Sequence, residues 1–376
     1  MKIALSDNGK HLNFAPLTLT KPLAELRMGI LTNTERWKKY CPEDEFSYVT
    51  ENYLEGKYPS DEVDLTVYAN VIANEELVAA LKNLESGQVL YAEGHLLGYT
   101  SLNGEKVEYK GEFPVILNER WDIYQKNDLV LKQDFDLLTF GRKSQELSDT
   151  NLLIGEESQL FIEEGAMIEG AIINTKSGPV YVGAGAEIME GSVVRGGLAM
   201  CEGAALKLGT KVYGATTLGP HCKVGGEVNN VIFQAYSNKG HDGFLGNSLI
   251  GEWCNLGADS NTSNLKNNYG NVRTYSYAEG KEVDTDIQFM GLTMGDHSKC
   301  GINTMFNTAT VVGVSVNIYG AGFPAKYIPS FSWGDAEGTT TFRFDKAIEY
   351  SNKMMERRGQ QLSSGEIEIL RVISEL

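Results

Sequence analysis

The chain is short of cations, cysteine and histidine, and each shortage narrows what it can do. Its 376 residues carry 33 Lys or Arg against 50 Asp or Glu, a formal net charge of −17. Such a surface repels polyanions, which argues against nucleic acid and acidic membranes as partners. No apolar run reaches the roughly 18 residues of a membrane span, and the opening MKIALSDNGK has no signal-peptide core. A cytoplasmic, membrane-free location is the expectation. The five cysteines, Cys41, Cys201, Cys222, Cys254 and Cys300, form no CxxC pair. Their odd number fits a reducing compartment and speaks against a thiolate metal site. Of the five histidines, His11 and His95 lie in the first third, while His221 and His297 fall in turn positions where they would be solvated. His221, His241 and His297 lack the tight pairwise spacing of a three-histidine zinc site.

What the chain has in abundance is a period of six. Val182, Ile188, Val194, Met200, Leu206, Val212, Leu218 and Val224 are consecutive sixth positions, all apolar. The ladder returns at Phe244, Ile250 and Leu256, and again at Met294, Cys300, Phe306, Val312 and Ile318. Glycine often follows the rung, as at Gly183, Gly219, Gly251 and Gly313. Six fits neither a helix nor an alternating strand. It fits a parallel β-helix of hexapeptide repeats, in which three hexads make a coil of about 18 residues. The rung points inward and the glycine turns the corner. A β-sandwich with Gly-rich turns is the alternative; recurrence of the ladder in three blocks favours the β-helix.

The length predicts two domains. Residues 1–118 lack the hexad and alternate short apolar strands with helical patterns, which predicts an α/β domain with a mainly parallel sheet. Residues 119–150 read as a helical connector, 151–333 as the β-helix, and 334–376 as a C-terminal helical cap. In the cap, Ile348 and Met355 mark one helix, and Ile369, Val372, Ile373 and Leu376 the face of a second. The hexads break between Val224 and Phe244 and again from about 261 to 288. The second break is rich in Asn, Tyr and basic residues, and is expected to leave the prism and serve function or subunit contacts.

Ligands of such sheets gather at the carboxyl ends of the strands. There the run Ser6-Asp7-Asn8-Gly9-Lys10, followed by Pro16-Leu17-Thr18 and Lys21-Pro22, resembles the first loop of sugar-1-phosphate nucleotidyltransferases. That resemblance implies a phosphate-binding loop, with Lys21 as a cation at the nucleotide and Arg27 as a substitute cation; a surface ion pair is the other reading of Arg27. The family's metal-binding Asp falls on Asn70, a poor ligand for Mg²⁺. Asp122 would then supply a metal ligand, or simply begin a helix.

A second resemblance covers most of residues 218–320. Gly240-His241-Asp242-Gly243-Phe244-Leu245-Gly246, Asn255-Leu256-Gly257-Ala258 and Thr262-Ser263-Asn264 are similar, in order and spacing, to segments of glucosamine-1-phosphate N-acetyltransferases. Together the two resemblances point to the bifunctional family that makes UDP-N-acetylglucosamine, in a short, divergent form. What the family implies is a left-handed β-helix, a homotrimer, acetyl transfer from acetyl-CoA to an amino-sugar phosphate, and uridylyl transfer from UTP with Mg²⁺. His241 would be the general base, since an imidazole titrates near neutral pH. Asn255 and Asn264 would hold the sugar and amine. Ala258 would let the backbone approach the acetyl group, and Gly301, Asn303 and Thr304 would lie beside CoA, with Ile302 where the family has Ser. Lys239, Lys266 and Arg273 are candidates for the phosphate. Phe244 and Leu265 stand where tyrosine hydroxyls would be expected, which leaves the acceptor open to a different amino sugar or nucleotide sugar. A solenoid scaffold or sensor without catalysis is the remaining alternative.

Overall fold

The computed structural model describes residues 1–376. A six-stranded sheet comes first, in the order Glu45–Val49, Lys2–Ser6, Leu65–Tyr68, His95–Tyr99, Gln88–Ala92, Glu105–Glu108. The strand Lys2–Ser6 pairs in parallel with both of its neighbours, and two antiparallel pairings follow before a last parallel one. Being central, it is buried on both faces, which is why Ile3, Ala4 and Leu5 form a continuous apolar run. Helix α1 (Asn33–Tyr40) starts at a capping box between Thr32 and Glu35, and α2 (Glu75–Lys82) at an Asn74 side chain that accepts from the Leu77 amide. The short α3 (Asp122–Gln125) leads into α4 (Asn127–Thr139).

From Leu152 onward short strands stack in parallel columns to form the β-solenoid. Every rung from Val182 to Val224 points into the prism and is buried, as are Ile250, Leu256, Met294, Cys300, Phe306, Val312 and Ile318. Phe244 is the exception: Leu245 is the inward residue, in register with Val228. The break after Val224 is not a departure from the coil. Val228, Phe233 and Lys239 pair with Val212, Leu218 and Val224 of the coil below. The coil has merely shortened, because Gly226 and Asn230 turn tight corners at φ 76° and 57°. The break after Thr262 does leave the prism, as an antiparallel hairpin of Arg273–Ser276 and Lys281–Asp284.

Short strands point alternate residues inward and outward. On two faces the outward residues are often polar, as in Glu187-Ile188 and Lys211-Val212. On the third face they include Phe161, Tyr181, Ala199, Ile232 and Leu249, all buried. Helix α4 covers the first three with Leu131, Phe135 and Leu138, while Ile232 and Leu249 join the core of the N-terminal sheet domain. Polar groups lock this contact. Thr217 Oγ1 donates to the Gly29 carbonyl at 2.6 Å, and the Gln234 side chain exchanges hydrogen bonds with the Arg27 backbone.

The last coil ends in a hairpin of Ser332–Asp335 and Gly338–Thr341, ahead of α5 (Phe344–Glu356) and α6 (Ser364–Glu375). These helices lie along a corner of the solenoid, burying Met355, Ile369, Leu370 and Ile373 against Trp253, Val314, Phe331 and Leu19. Leu376, expected on the buried face, is exposed, and Leu370 takes its place. No helix is long and apolar enough to cross a membrane.

Two buried cations test this packing. Arg36 and Asp134 are each about 1% exposed and form a two-pronged pair at 2.7 Å, and Asp134 also accepts from the Ile30 and Leu31 amides. Asp134→Ala should cost roughly 3–5 kcal/mol in urea unfolding, because it strands a buried guanidinium. Lys239 occupies a rung, 1% exposed, and burial pushes its ammonium down to about 8. Its folded pKa lies below the ordinary value of 10.5, so the folded chain holds fewer protons in that window and stability rises with pH through it. Urea unfolding at about pH 7.5 and 9.5 should show Lys239→Met lacking a gain of about 2 kcal/mol.

Candidate active site

Two successive coils build the site. The strands Asn238–Lys239 and Asn255–Leu256 pair in parallel, with Asn238 opposite Asn255. Each runs into a corner on the same side, Gly240–Gly243 on one coil and Gly257–Ser260 on the next, tied by the Asp259 amide donating to the Asp242 carbonyl. The corners are tight: a Cβ on Gly257 would sit 2.4 Å from the Gly301 carbonyl of the coil above. His241, Asn255 and Ala258 thereby share one cavity of about 590 Å³, with Ile302 on its rim. His241 is exposed on its corner, and Asn255 is half-buried.

The other wall is aromatic and cationic. Tyr236 stacks on Trp253 at 4.3 Å with the rings 2° from parallel, and His221 lies over Tyr236 at 5.2 Å. His221 is thus stacked rather than freely solvated. Lys207 and Lys223 line the cavity from the solenoid, and Arg357 and Arg358 from the end of α5. No carboxylate lines it. The sequence reading missed this wall; the one local signal was a pair of arginines just past a helical pattern.

Several expected site residues lie elsewhere. Lys239 does not reach a phosphate, because its ammonium points into the prism and donates to the carbonyls of Gly225, His241 and Asp242 at 3.2, 2.8 and 3.2 Å. It braces the turn that carries His241 instead. Asn264 is outside the cavity lining and donates to Asn247 Oδ1 at 2.8 Å. Gly301, Asn303 and Thr304 form the next corner up, where the Asn303 amide donates to the Ala258 carbonyl at 2.8 Å; only Ile302 of that segment reaches the cavity. Lys266 donates to the Asn271 carbonyl, and Arg273 pairs with Asp284.

The N-terminal candidates are turned towards the solenoid or spent locally. Lys21 is buried between Glu252 and Asp296, with the Asp296 contact at 2.9 Å. Burial opposes its charge, but the two carboxylates outweigh it and hold the ammonium protonated above the ordinary lysine range. Arg27 pairs with Glu35 at 2.8 Å and donates to the Ile30 carbonyl at 2.6 Å. Neither is a free cation. Arg120, also buried, reaches the hairpin at Thr274 Oγ1 and the Tyr275 carbonyl, and burial pushes its guanidinium down to about 10. His297, expected to be solvated, is buried near Lys21 and Glu252; burial, then Lys299, pushes its imidazole down to about 3, so it stays neutral. The residues at hand do not fit Mg²⁺. Asn70 offers one neutral amide oxygen, and the Asp122 carboxylate is engaged by the Asn118 and Glu119 amides at 2.6 and 3.2 Å.

Residues 3–143 match a family described as sugar nucleotidyl transferase. No curated protein matches the chain. Solved structures with which it aligns include three acyl-transfer proteins. UDP-N-acetylglucosamine O-acyltransferase from Moraxella catarrhalis RH4 is 12% identical, over 61% of this chain and 96% of that one, with a TM-score of 0.22. The acetyltransferase domain of PglB from Neisseria gonorrhoeae FA1090, in complex with acetyl coenzyme A, is 12% identical over 90% and 98%, with a TM-score of 0.17. The polysialic acid O-acetyltransferase OatWY is 10% identical over 51% and 84%, with a TM-score of 0.25. At these scores the likenesses have no bearing on activity. The chain joins an N-terminal domain that is similar to the sugar nucleotidyl transferase family over residues 3–143 to a hexapeptide-repeat solenoid.

Proposed function

We propose that the solenoid cavity transfers an acetyl group from acetyl-CoA to the amine of an amino-sugar phosphate, with glucosamine-1-phosphate as the first acceptor to try. One observation carries this reading: His241, Asn255 and Ala258, drawn from two successive coils, meet in a single open cavity. The free amine attacks the thioester carbonyl, a C–N bond forms, and the C–S bond breaks. His241 takes the proton from the nitrogen, and the departing thiolate ends as the CoA thiol. Asn255 offers both a donor and an acceptor to a sugar hydroxyl or the amine. Ala258 adds little bulk beside the thioester. Phe244 offers no hydroxyl to a sugar phosphate, so the acceptor's phosphate has to find its partner elsewhere, and a different amino sugar or nucleotide sugar is the second acceptor class. A cytoplasmic homotrimer is the working form this reading takes.

Uridylyl transfer is left out of the reading. Its cations, Lys21 and Arg27, are engaged by Glu252, Asp296 and Glu35, and the donor set does not suit Mg²⁺. The non-catalytic scaffold makes the opposite forecast for the solenoid.

Thiol release from acetyl-CoA in the presence of glucosamine-1-phosphate is the test. His241→Ala should lower kcat on the order of 10²-fold or more with the chain still folded. No release from folded wild-type protein with any amino-sugar acceptor would overturn the reading in favour of a scaffold. In a parallel assay with UTP, Mg²⁺ and N-acetylglucosamine-1-phosphate, pyrophosphate release should stay at the no-enzyme background; turnover would show that the Lys21 contacts open in solution.

A further inference from the structure

We infer that Lys207, Lys223, Arg357 and Arg358 form an anion subsite at the α5 end of the cavity, which takes the phosphate groups of a nucleotide. The proposal deepens the acyl-transfer reading and rests on it for the donor's identity. Its warrant is electrostatic and geometric. The chain carries an excess of acid, yet these four cations converge from separate elements and none forms an ion pair. Lys207 and Lys223 stand on two successive coils of one solenoid face, and the two arginines follow Glu356 at the end of α5. Arg358 has only a long contact, 3.4 Å, to the His221 carbonyl. Some exposed cations elsewhere, Lys132, Arg142, Lys346 and Lys353, have a carboxylate within 2.7 Å. Burial lowers the Lys223 ammonium, Arg358, Lys207 and Arg357 lower it further, and Glu187, which does not line the cavity, opposes them.

A bland account exists for half of this cluster. Basic side chains suit the carboxyl end of a helix, where the peptide dipoles leave partial negative charge. That explains Arg357 and Arg358, but not why two lysines on the facing solenoid oppose them with no acid between. Like charges gathered round a concave wall raise the local anion concentration. Phosphate is the anion that four cations suit, since each guanidinium can grip two of its oxygens. The same wall carries the half-buried Tyr236 ring, stacked on Trp253 and held at its hydroxyl by Gln360 at 3.1 Å. Both faces of that ring are covered, by Trp253 and by His221, so it offers a ligand its edge rather than a stacking platform. Four cations exceed what one sugar phosphate needs and match the several phosphates at the nucleotide end of the acyl donor, with the thioester then lying towards Ala258 and His241.

The test pairs binding with kinetics, using the full chain and the double variant Arg357→Ser/Arg358→Ser. Calorimetry with adenosine 3′,5′-bisphosphate should give a Kd for the variant at least about tenfold weaker than for wild type, with an unchanged melting temperature. In the thiol-release assay the KM for acetyl-CoA should rise about tenfold, that for S-acetylpantetheine should not move, and kcat should stay within about threefold. Equal bisphosphate affinity in the two proteins overturns the subsite. A rise confined to the KM for glucosamine-1-phosphate overturns the donor assignment and places the acceptor's phosphate there. Tight bisphosphate binding that the variant loses, without thiol release from either protein, supports the subsite and sinks the acyl-transfer reading on its own.

Discussion

The structure depends on a face of the solenoid that is apolar on both sides. A stacked coil of short strands needs medium-sized residues inside, and that requirement alone leaves its outer surface free to be polar. Here one column of strands carries Phe161, Tyr181, Ala199, Ile232 and Leu249 on its outside. A surface of that size cannot stay in water without drawing a partner. The N-terminal sheet domain and α4 are that partner. The same column is where continuous apolar triplets stand in the sequence, as in Val180-Tyr181-Val182 and Val231-Ile232-Phe233, while strands on the other faces can alternate.

Docking on that face decides what the N-terminal domain can use its polar residues for. In an open α/β sheet the carboxyl edge of the strands is where ligands gather. In this chain that edge is where Asp7, His11, Lys21, Asn70 and Arg120 are buried. Asp7 is taken by His11, Thr50 and the Leu23 amide, Lys21 by two solenoid carboxylates, and Arg120 by the Arg273–Asp284 hairpin. Lys21 and Arg120, residue types suited to phosphates, serve as polar fastenings between the two domains. A buried ion pair gains little net stability over an apolar contact, but removing one partner is costly. Such pairs fix the register of the interface more than they strengthen it.

How much of this could be read from the chain follows from what a local period encodes. The ladder from Val182 to Val224 was legible because each position faces the same interior and tolerates the same few side chains. It failed where the spacing changed. Once Gly226 and Asn230 tightened their corners, counting by six placed Phe244 inside in place of Leu245, and left Lys239 looking like a surface cation. The meeting of His241 with Asn255 was foreseeable, since similar segments in the same order bring a similar corner. The meeting of Lys223 with Arg357 was not: no repeat connects a solenoid strand to the residues past a helix so far along the chain. Nor does a resemblance carry a residue's partners. Lys21 kept its place in a familiar run, but Glu252 and Asp296, which decide its role, lie in the other domain.

Trp253 shows how the domain contact reaches the site. Its indole forms the base of the aromatic stack under Tyr236 in the large cavity, and it also borders a small polar hollow with Lys21, Asp296 and His297. The residue before it, Glu252, pairs with Lys21 and receives its backbone restraint from Asp296 Oδ1 at 2.7 Å. Trp253 takes a left-handed backbone at φ 57°, as Tyr236 and His297 do at the same corner of the neighbouring coils, so that conformation belongs to the solenoid turn. The N-terminal domain and α6 pack against the same corner through Leu19 and Ile369. The aromatic wall of the cavity is therefore held in place by the interface with the N-terminal domain as well as by the solenoid. That gives the N-terminal domain a structural part in the cavity proposed for acyl transfer.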